Sequence, residues 1–214
     1  MEGLEETKTQ ITSTSPGINA HLVQADLADL GSLEAVFSQV AKFADAAKHQ
    51  QYILIHNAGS VGDITKPMIE QSDPKPIQDH FAVNFSSMFV LSAHFLSNFT
   101  TGHRMIVSIT SLLAVKYLPS FALYSSAHAA RRAFMGVLAV ENPDIRLLNY
   151  GPGPCETGIQ REIREQCFSE SVREQFKGYA TDKKILSCQE SISKMVAVLK
   201  EDKFENGGVV DYFD

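Results

Sequence analysis

The sequence is informative first for what it lacks. Its 214 residues include three cysteines, Cys155, Cys167 and Cys188. An odd count without a CxxC pair argues against a disulfide framework or a zinc knuckle and reads as three reduced thiols. Positive charge is not in excess: 19 Lys and Arg stand against 25 Asp and Glu, a formal net charge of −6. The basic face that phosphate backbones require is missing, so no nucleic-acid partner is expected. Long apolar runs are missing too. The longest, Met105 to Val115, is broken by Ser and Thr and falls short of the ~20 residues that span a bilayer. The opening MEGLEETKTQ is acidic and polar where a signal peptide is basic and then apolar. A soluble cytoplasmic chain with no membrane partner is therefore expected. There is no repeat, low-complexity tract or Pro/Gly-rich linker. The seven histidines show no HExxH spacing, so no metal is expected, and His56, His94 and His128 read as core or helix-face residues. At roughly 150 residues per domain the length allows one domain.

Short apolar runs alternate with helical patterns. The run Ala20–Ala25 reads as a strand, and residues 32 to about 48 read as a helix with Leu33, Val36, Phe37 and Val40 inward. Tyr52–His56 is the next strand, followed by a long helix over residues 76–98 with Ile77, Phe81, Phe85 and Met88 on one stripe. Met105–Ile109 is a strand, residues 121–140 a helix that stops before Asn142-Pro143, and Ile145–Asn149 a strand that ends at Gly151-Pro152-Gly153-Pro154. Residues 156–184 read as mobile helices and loop, 191–200 as a helix and 208–213 as a final strand. Continuous apolar strands joined by crossover helices imply a three-layer, doubly wound Rossmann-like α/β domain with a parallel sheet. Ligands bind beyond the carboxyl ends of such strands. Those ends carry Asp26, Asn57–Gly59, Thr110–Ser111 and Gly151–Thr157.

Asn57-Ala58-Gly59 makes a sharp turn with a small face that a flat ligand can approach, although an ordinary strand-to-loop turn looks the same. Asn84 interrupts the apolar stripe of its helix, so its amide is either bonded to neighbouring backbone or placed for a ligand-site water. Ser111, at a strand end, and Tyr124, at a helix start, put two hydroxyls near one mouth of the sheet. A Ser hydroxyl can hold a carbonyl oxygen while a Tyr hydroxyl delivers the proton, as carbonyl reduction requires once hydride arrives from a cofactor.

In this order, Asn57-Ala-Gly-Ser-Val-Gly-Asp63, Asn84, Ser111-Leu-Leu-Ala-Val115, Ala122-Leu-Tyr124, Asn149-Tyr-Gly-Pro-Gly-Pro154 and Val210-Asp-Tyr-Phe213 resemble the sepiapterin-reductase branch of the short-chain dehydrogenase/reductase family. The resemblance runs from Ala25 to the C-terminus. It implies an NADPH-dependent carbonyl reductase acting on a pterin side-chain ketone in tetrahydrobiopterin biosynthesis, and a homodimer built on the helices near 76–98 and 121–141. It places Asp26 and Leu27 by the adenine and Asn57, Ala58 and Gly59 along the cofactor cleft. Asn84, Ser111 and Tyr124 fall at catalytic positions, with His128 in the catalytic set and, with Tyr124, against the cofactor. Pro152, Gly153, Cys155, Glu156, Thr157 and Gly158 flank the nicotinamide. Ser111, Leu112, Tyr124, Gly153 and Asp211 face the substrate, Asp211 through paired hydrogen bonds to the pterin's guanidine-like edge.

Two departures stand out. The family's Tyr-x-x-x-Lys becomes Tyr124-Ser-Ser-Ala-His128, with His128 on the same helix face as Tyr124. A cation ~5 Å from the phenol at an effective dielectric of ~20 is worth roughly 3 kcal/mol. A histidine with its ordinary pKa of ~6.5 is about a quarter protonated at pH 7, so much of that help is lost, although neutral His can still donate to a ribose hydroxyl. Arg131, seven residues past Tyr124, could lend the phenol positive field, but it reads as a solvated helix-face arginine. The second departure is the missing Thr-Gly-x-x-x-Gly-x-Gly turn that cradles the pyrophosphate. Residues 1–18 read as a polar segment, the end of a helix plus a loop, and 19–214 as a domain without its first βα unit or units. Uncovered sheet faces and low stability or association are then expected. Activity is impaired, or the chain is an inactive member serving as a binding or dimerising module.

Overall fold

The computed structural model describes residues 2–44, 49–182 and 184–214. Met105, Ile106 and Val107 are apolar in succession and fully buried, so the strand that holds them, β2 (His103–Ile109), is covered on both faces. It lies inside a parallel sheet in the order β1 (Gln51–His56), β2, β3 (Arg146–Gly151), β4 (Val209–Asp211). Ile53 pairs with Met105, Val107 with Leu148 and Tyr150 with Val210.

The helices are α1 (Glu2–Thr14), α2 (Leu33–Phe43), α3 (Pro74–Phe81), α4 (Ser87–Asn98), α5 (Ala122–Glu141), α6 (Gly158–Gln166), α7 (Glu170–Thr181) and α8 (Cys188–Glu201). On one face, Phe37 of α2, Met88 and Phe95 of α4, and Met135 and Leu138 of α5 pack on Ile106 and Leu147. On the other, Met195 of α8 packs on Met105, Val107, Leu148 and Tyr150. The chain steps across the sheet in one direction throughout while α8 lies on the opposite face from α4 and α5. The β3-to-β4 crossover therefore has the opposite hand to the two before it, an exception to the usual right-handed rule. A third cluster, with Val61, Ile64, Phe121, Ile163, Val172 and Phe176, packs α6 and α7 against the segments after β1 and β2.

The parallel, two-sided architecture agrees with the sequence, and three details differ. Ala20–Ala25 forms no strand. A strand needs a neighbour's ladder to satisfy its backbone, and among the described residues β1 pairs with β2 alone, leaving Ile53 and Ile55 44% and 45% exposed. The helix expected over 76–98 is two α-helices joined by a π-helical turn, Ala82–Ser86. The helix expected to run to about Lys48 ends at Phe43, and residue 48 lies outside the described residues. The expected polar helix is present as α1, which buries none of its residues. The region 156–184 is largely helical, as α6 and α7.

Candidate active site

β1 delivers its chain end at His56, from which Asn57-Ala58-Gly59 turns away. Facing that turn is the π-helical segment. A π-turn inserts one residue into a helix and re-aims the side chains after it, and here it centres on Asn84, which is 1% exposed. The Ser60 amide donates to Asn84 Oδ1 at 2.9 Å, and Asn84 Nδ2 donates to the His80 carbonyl at 2.8 Å. The same Nδ2 contacts Ser60 Oγ at 3.2 Å and His80 Nδ1 at 3.3 Å. The amide is thus bonded to neighbouring backbone at both its ends. A Cβ on Gly59 would come within 3.0 Å of Asn84 Oδ1, so the turn needs glycine for closeness.

Ser111 follows β2 and caps a short 3-10 turn by accepting from the Leu113 amide at 3.2 Å. Its hydroxyl is near enough to the Tyr124 phenol to lower the phenol's pKa. Tyr124 stands in the first turn of α5, edge-on to Phe121 and 4.3 Å, centroid to centroid, from the ring of His128. Burial pushes the phenol's pKa up, against which the neighbouring Ser111 hydroxyl and the charge of Arg131 pull it down.

His128 and Arg131 correct the sequence reading. His128 is 5% exposed, and burial first, then Arg131 and His80, hold its pKa down to about 3, so it is neutral at pH 7 rather than a quarter charged. Its Nδ1 has no hydrogen-bond partner among the described residues. Arg131 is not solvated: it is 2% exposed. Its Nη2 donates to the His56 carbonyl at 2.6 Å, Nη1 to the Ala58 carbonyl at 3.4 Å and Nε to Ser108 Oγ at 3.2 Å. Burial lowers its pKa to about 10, which leaves it charged at pH 7. The signal for this was present in the sequence. Arg131 lies on the inward stripe of α5 with Ala127, Met135 and Leu138.

The other expected positions form two groups. Leu27 lines a cleft of about 130 Å³ with Asn57, Ala58, Asn84 and Arg131, while Asp26 is exposed and accepts from the Ala28 amide. Beyond β3, Gly153 adopts φ +70° where a Cβ would meet Leu186 at 2.9 Å. Cys155 donates to the Pro152 carbonyl, the Glu156 carboxylate is held bidentately by Arg164, and Thr157 and Gly158 open α6. Asp211 ends β4 beside Gly151, with Oδ1 accepting from the Phe213 amide. Leu112 is exposed on the 3-10 turn. The Thr110 amide donates to the Tyr150 carbonyl, tying the two strand ends together. His80, which sequence reasoning missed, is buried four residues before Asn84, its pKa lowered by burial. No cluster of metal-ligating residues occurs among the described residues.

Residues 1–167 match the short chain dehydrogenase family. The chain belongs to it. Within this family the chain is 34% identical to a sepiapterin reductase of Xenopus tropicalis over 100% of its own length and 82% of that protein. It is 30% identical to a sepiapterin reductase of Rattus norvegicus over 99% of its length and 82% of that protein. A short-chain dehydrogenase fold also accounts for its likeness to the crystal structure of levodione reductase, with a TM-score of 0.80 at 20% identity over 98% of this chain and 82% of that one. The chain is thus an oxidoreductase of the short-chain dehydrogenase type that resembles sepiapterin reductase.

Proposed function

We propose that the chain is an NADPH-dependent carbonyl reductase that acts on the side-chain ketone of a pterin, the chemistry of tetrahydrobiopterin biosynthesis. The observation that carries this reading is the placement of Ser111, just past the carboxyl end of β2, where its hydroxyl lowers the pKa of the Tyr124 phenol in the first turn of α5. NADPH, when bound, supplies the hydride. Ser111 holds the substrate oxygen, and Tyr124 gives it the proton. Asn84, locked by Ser60 and His80, fixes the π-turn and supports the water that returns the proton. His128, neutral, offers its unpartnered Nδ1 to a ribose hydroxyl.

The nicotinamide half of the cofactor fits the residues present: an unpartnered buried imidazole nitrogen and a glycine turn with no room for a Cβ. Asn57–Gly59 would line it and Pro152, Gly153, Cys155, Glu156, Thr157 and Gly158 would flank it, with Asp26 and Leu27 toward the adenine. The pyrophosphate half finds no Gly-rich helix start among the described residues. Asp211 and Leu112 take the pterin. A cytoplasmic location belongs to this reading. No helix among the described residues is long and apolar enough to cross a membrane.

A second reading, a non-catalytic member that associates through α4 and α5, draws on exposed Phe89, Val137 and Val140 on those helices. Titrating the purified chain with NADPH while following sepiapterin consumption separates the two. Saturable NADPH binding with turnover supports the reductase, and absence of both leaves the association module.

A further inference from the structure

Arg131 is a buried cation with no ion-pair partner among the described residues. Its three hydrogen bonds go to neutral acceptors, the His56 and Ala58 carbonyls and Ser108 Oγ, so they satisfy its donors without cancelling its charge. Long helical side chains run back toward the helix N-terminus. That direction takes this one from Arg131 past His128 toward Tyr124, and its guanidinium ends under the Asn57–Gly59 turn, about where a Gly59 Cβ would lie 3.9 Å from Nη1.

Among the described residues, the groups around Tyr124 offer no other cation. His128 on α5 and His80 on α3 are both buried, and burial keeps each imidazole's pKa below its ordinary value. On the side of α6 and α7 the phenol joins an apolar cluster with Ile163, Val172 and Phe176 and the phenol of Tyr179, whose oxygen accepts from Gln175.

We propose that Arg131 is a positioning residue of the reductase centre: it clamps the end of β1 to the Asn57–Gly59 turn and supplies Tyr124 with the fixed positive charge that His128 does not. The proposal rests on the reductase reading for its purpose but not for its test. Arg131 acts through Tyr124 and through the turn, and its charge favours the phenolate that remains once the proton has passed to the substrate.

The test is the ionisation of Tyr124 in the free chain, followed by tyrosinate absorbance with Tyr124→Phe subtracting the other tyrosines. It needs neither NADPH nor turnover, so a chain that fails to reduce sepiapterin still answers it. In Arg131→Gln the Tyr124 titration moves to higher pH, and adding His128→Lys moves it back. Arg131→Lys, which keeps the charge and loses the fork, titrates as the parent does. Where turnover is measurable, Arg131→Gln lowers kcat about 10-fold or more with little change in KM for the ketone. A folded Arg131→Gln with an unmoved Tyr124 titration overturns the proposal. So does a folded Arg131→Lys whose phenol titrates higher, which decides the matter if loss of the clamp unfolds Arg131→Gln.

Discussion

The rings of Tyr124 and His128 lie 4.3 Å apart and tilted by 54°, one helical turn apart on α5. His128 is buried and Tyr124 partly buried, and burial acts oppositely on them. It raises the pKa of the acid and lowers that of the base, so both groups are neutral at pH 7. Neutral Tyr124 is the form that donates a proton. Tyr124→Phe keeps the ring's packing and removes that proton, so sepiapterin reduction should fall by about 10²–10⁴-fold while the melting temperature stays near the parent's. Parallel assays and melts of the two proteins check this, and retained activity in Tyr124→Phe would refute the assignment of the acid.

Replacing His128 by Lys restores the family's pattern, but into a pocket that already holds a cation. Like charges in a buried site oppose each other, so the gain in kcat for His128→Lys should be smaller in the parent than in Arg131→Gln. A double-mutant cycle reads the difference directly. Equal gains in the two backgrounds would mean that Arg131 and residue 128 do not act on the same group.

Acid stability is set by the buried histidines. His128 and His56 both have folded pKa values lowered to about 3 against an ordinary value of 6.5. The unfolded chain therefore binds more protons between those limits. The contribution is complete above about pH 6.5 and is lost as pH falls toward 3. By pH 5 each histidine should cost about 2 kcal/mol of stability. Urea unfolding midpoints from pH 7.5 to pH 5 test this, and the fall should be shallower in His128→Gln and in His56→Gln. A parent chain equally stable at about pH 5 and pH 7 would contradict the neutral-histidine core.

How much of this was legible in the sequence depends on range. Strand ends and turns are local: Asn57-Ala58-Gly59, Ser111 and the Gly151–Pro154 break announce themselves by residue type, and all lie at the carboxyl ends of strands. So does the capping box of α8, where Ser187 and Glu190 bond reciprocally, although the apolar stripe alone starts that helix later, at Ser191. The burial of Arg131 is local only in part, in its place on the inward stripe of α5. It depends on acceptors contributed by β1, its turn and β2, which sequence spacing does not bring together. The strand expected at Ala20–Ala25 failed for the complementary reason, since an apolar run becomes a strand only where another backbone is there to pair with it. The π-turn at Asn84 was hidden because a single helical period carries one apolar stripe through 76–98, whereas the inserted residue turns the chain so that His80, Asn84, Ser87 and Met88 are buried and Ile77, Phe81 and Phe85 only half-buried.

The Asn84 amide holds the π-turn to the glycine turn, and Asn84→Ala would leave the Ser60 amide and the His80 carbonyl without partners. That change should cost about 1–3 kcal/mol. Gly59→Ala attacks the same junction from the other side, by pressing a methyl group to 3.0 Å from Asn84 Oδ1. Because each variant breaks the same Ser60–Asn84 bond, the double variant should be less destabilised than the sum of the two. Additive losses in denaturant melts would show that the two turns are held independently.

The exposed face of α4 and α5 offers the last test. Phe85 and Phe89 of the helix pair meet Phe134 of α5 edge-on and tilted, and Val137 and Val140 continue the apolar face outward. Val140 is 83% exposed in the single chain, so a polar residue there should cost the fold less than about 0.5 kcal/mol. If copies associate through this face, Val140→Lys places two like charges across a two-fold interface, because such an interface brings the same patch from each copy together. Sedimentation velocity should then show the parent as a dimer and Val140→Lys shifted to monomer, with self-association weakened at least ~10-fold and melting unchanged at matched monomer content. A dimer that persists in Val140→Lys would move the interface elsewhere, with the exposed Ile53 and Ile55 of β1 the next surface to alter.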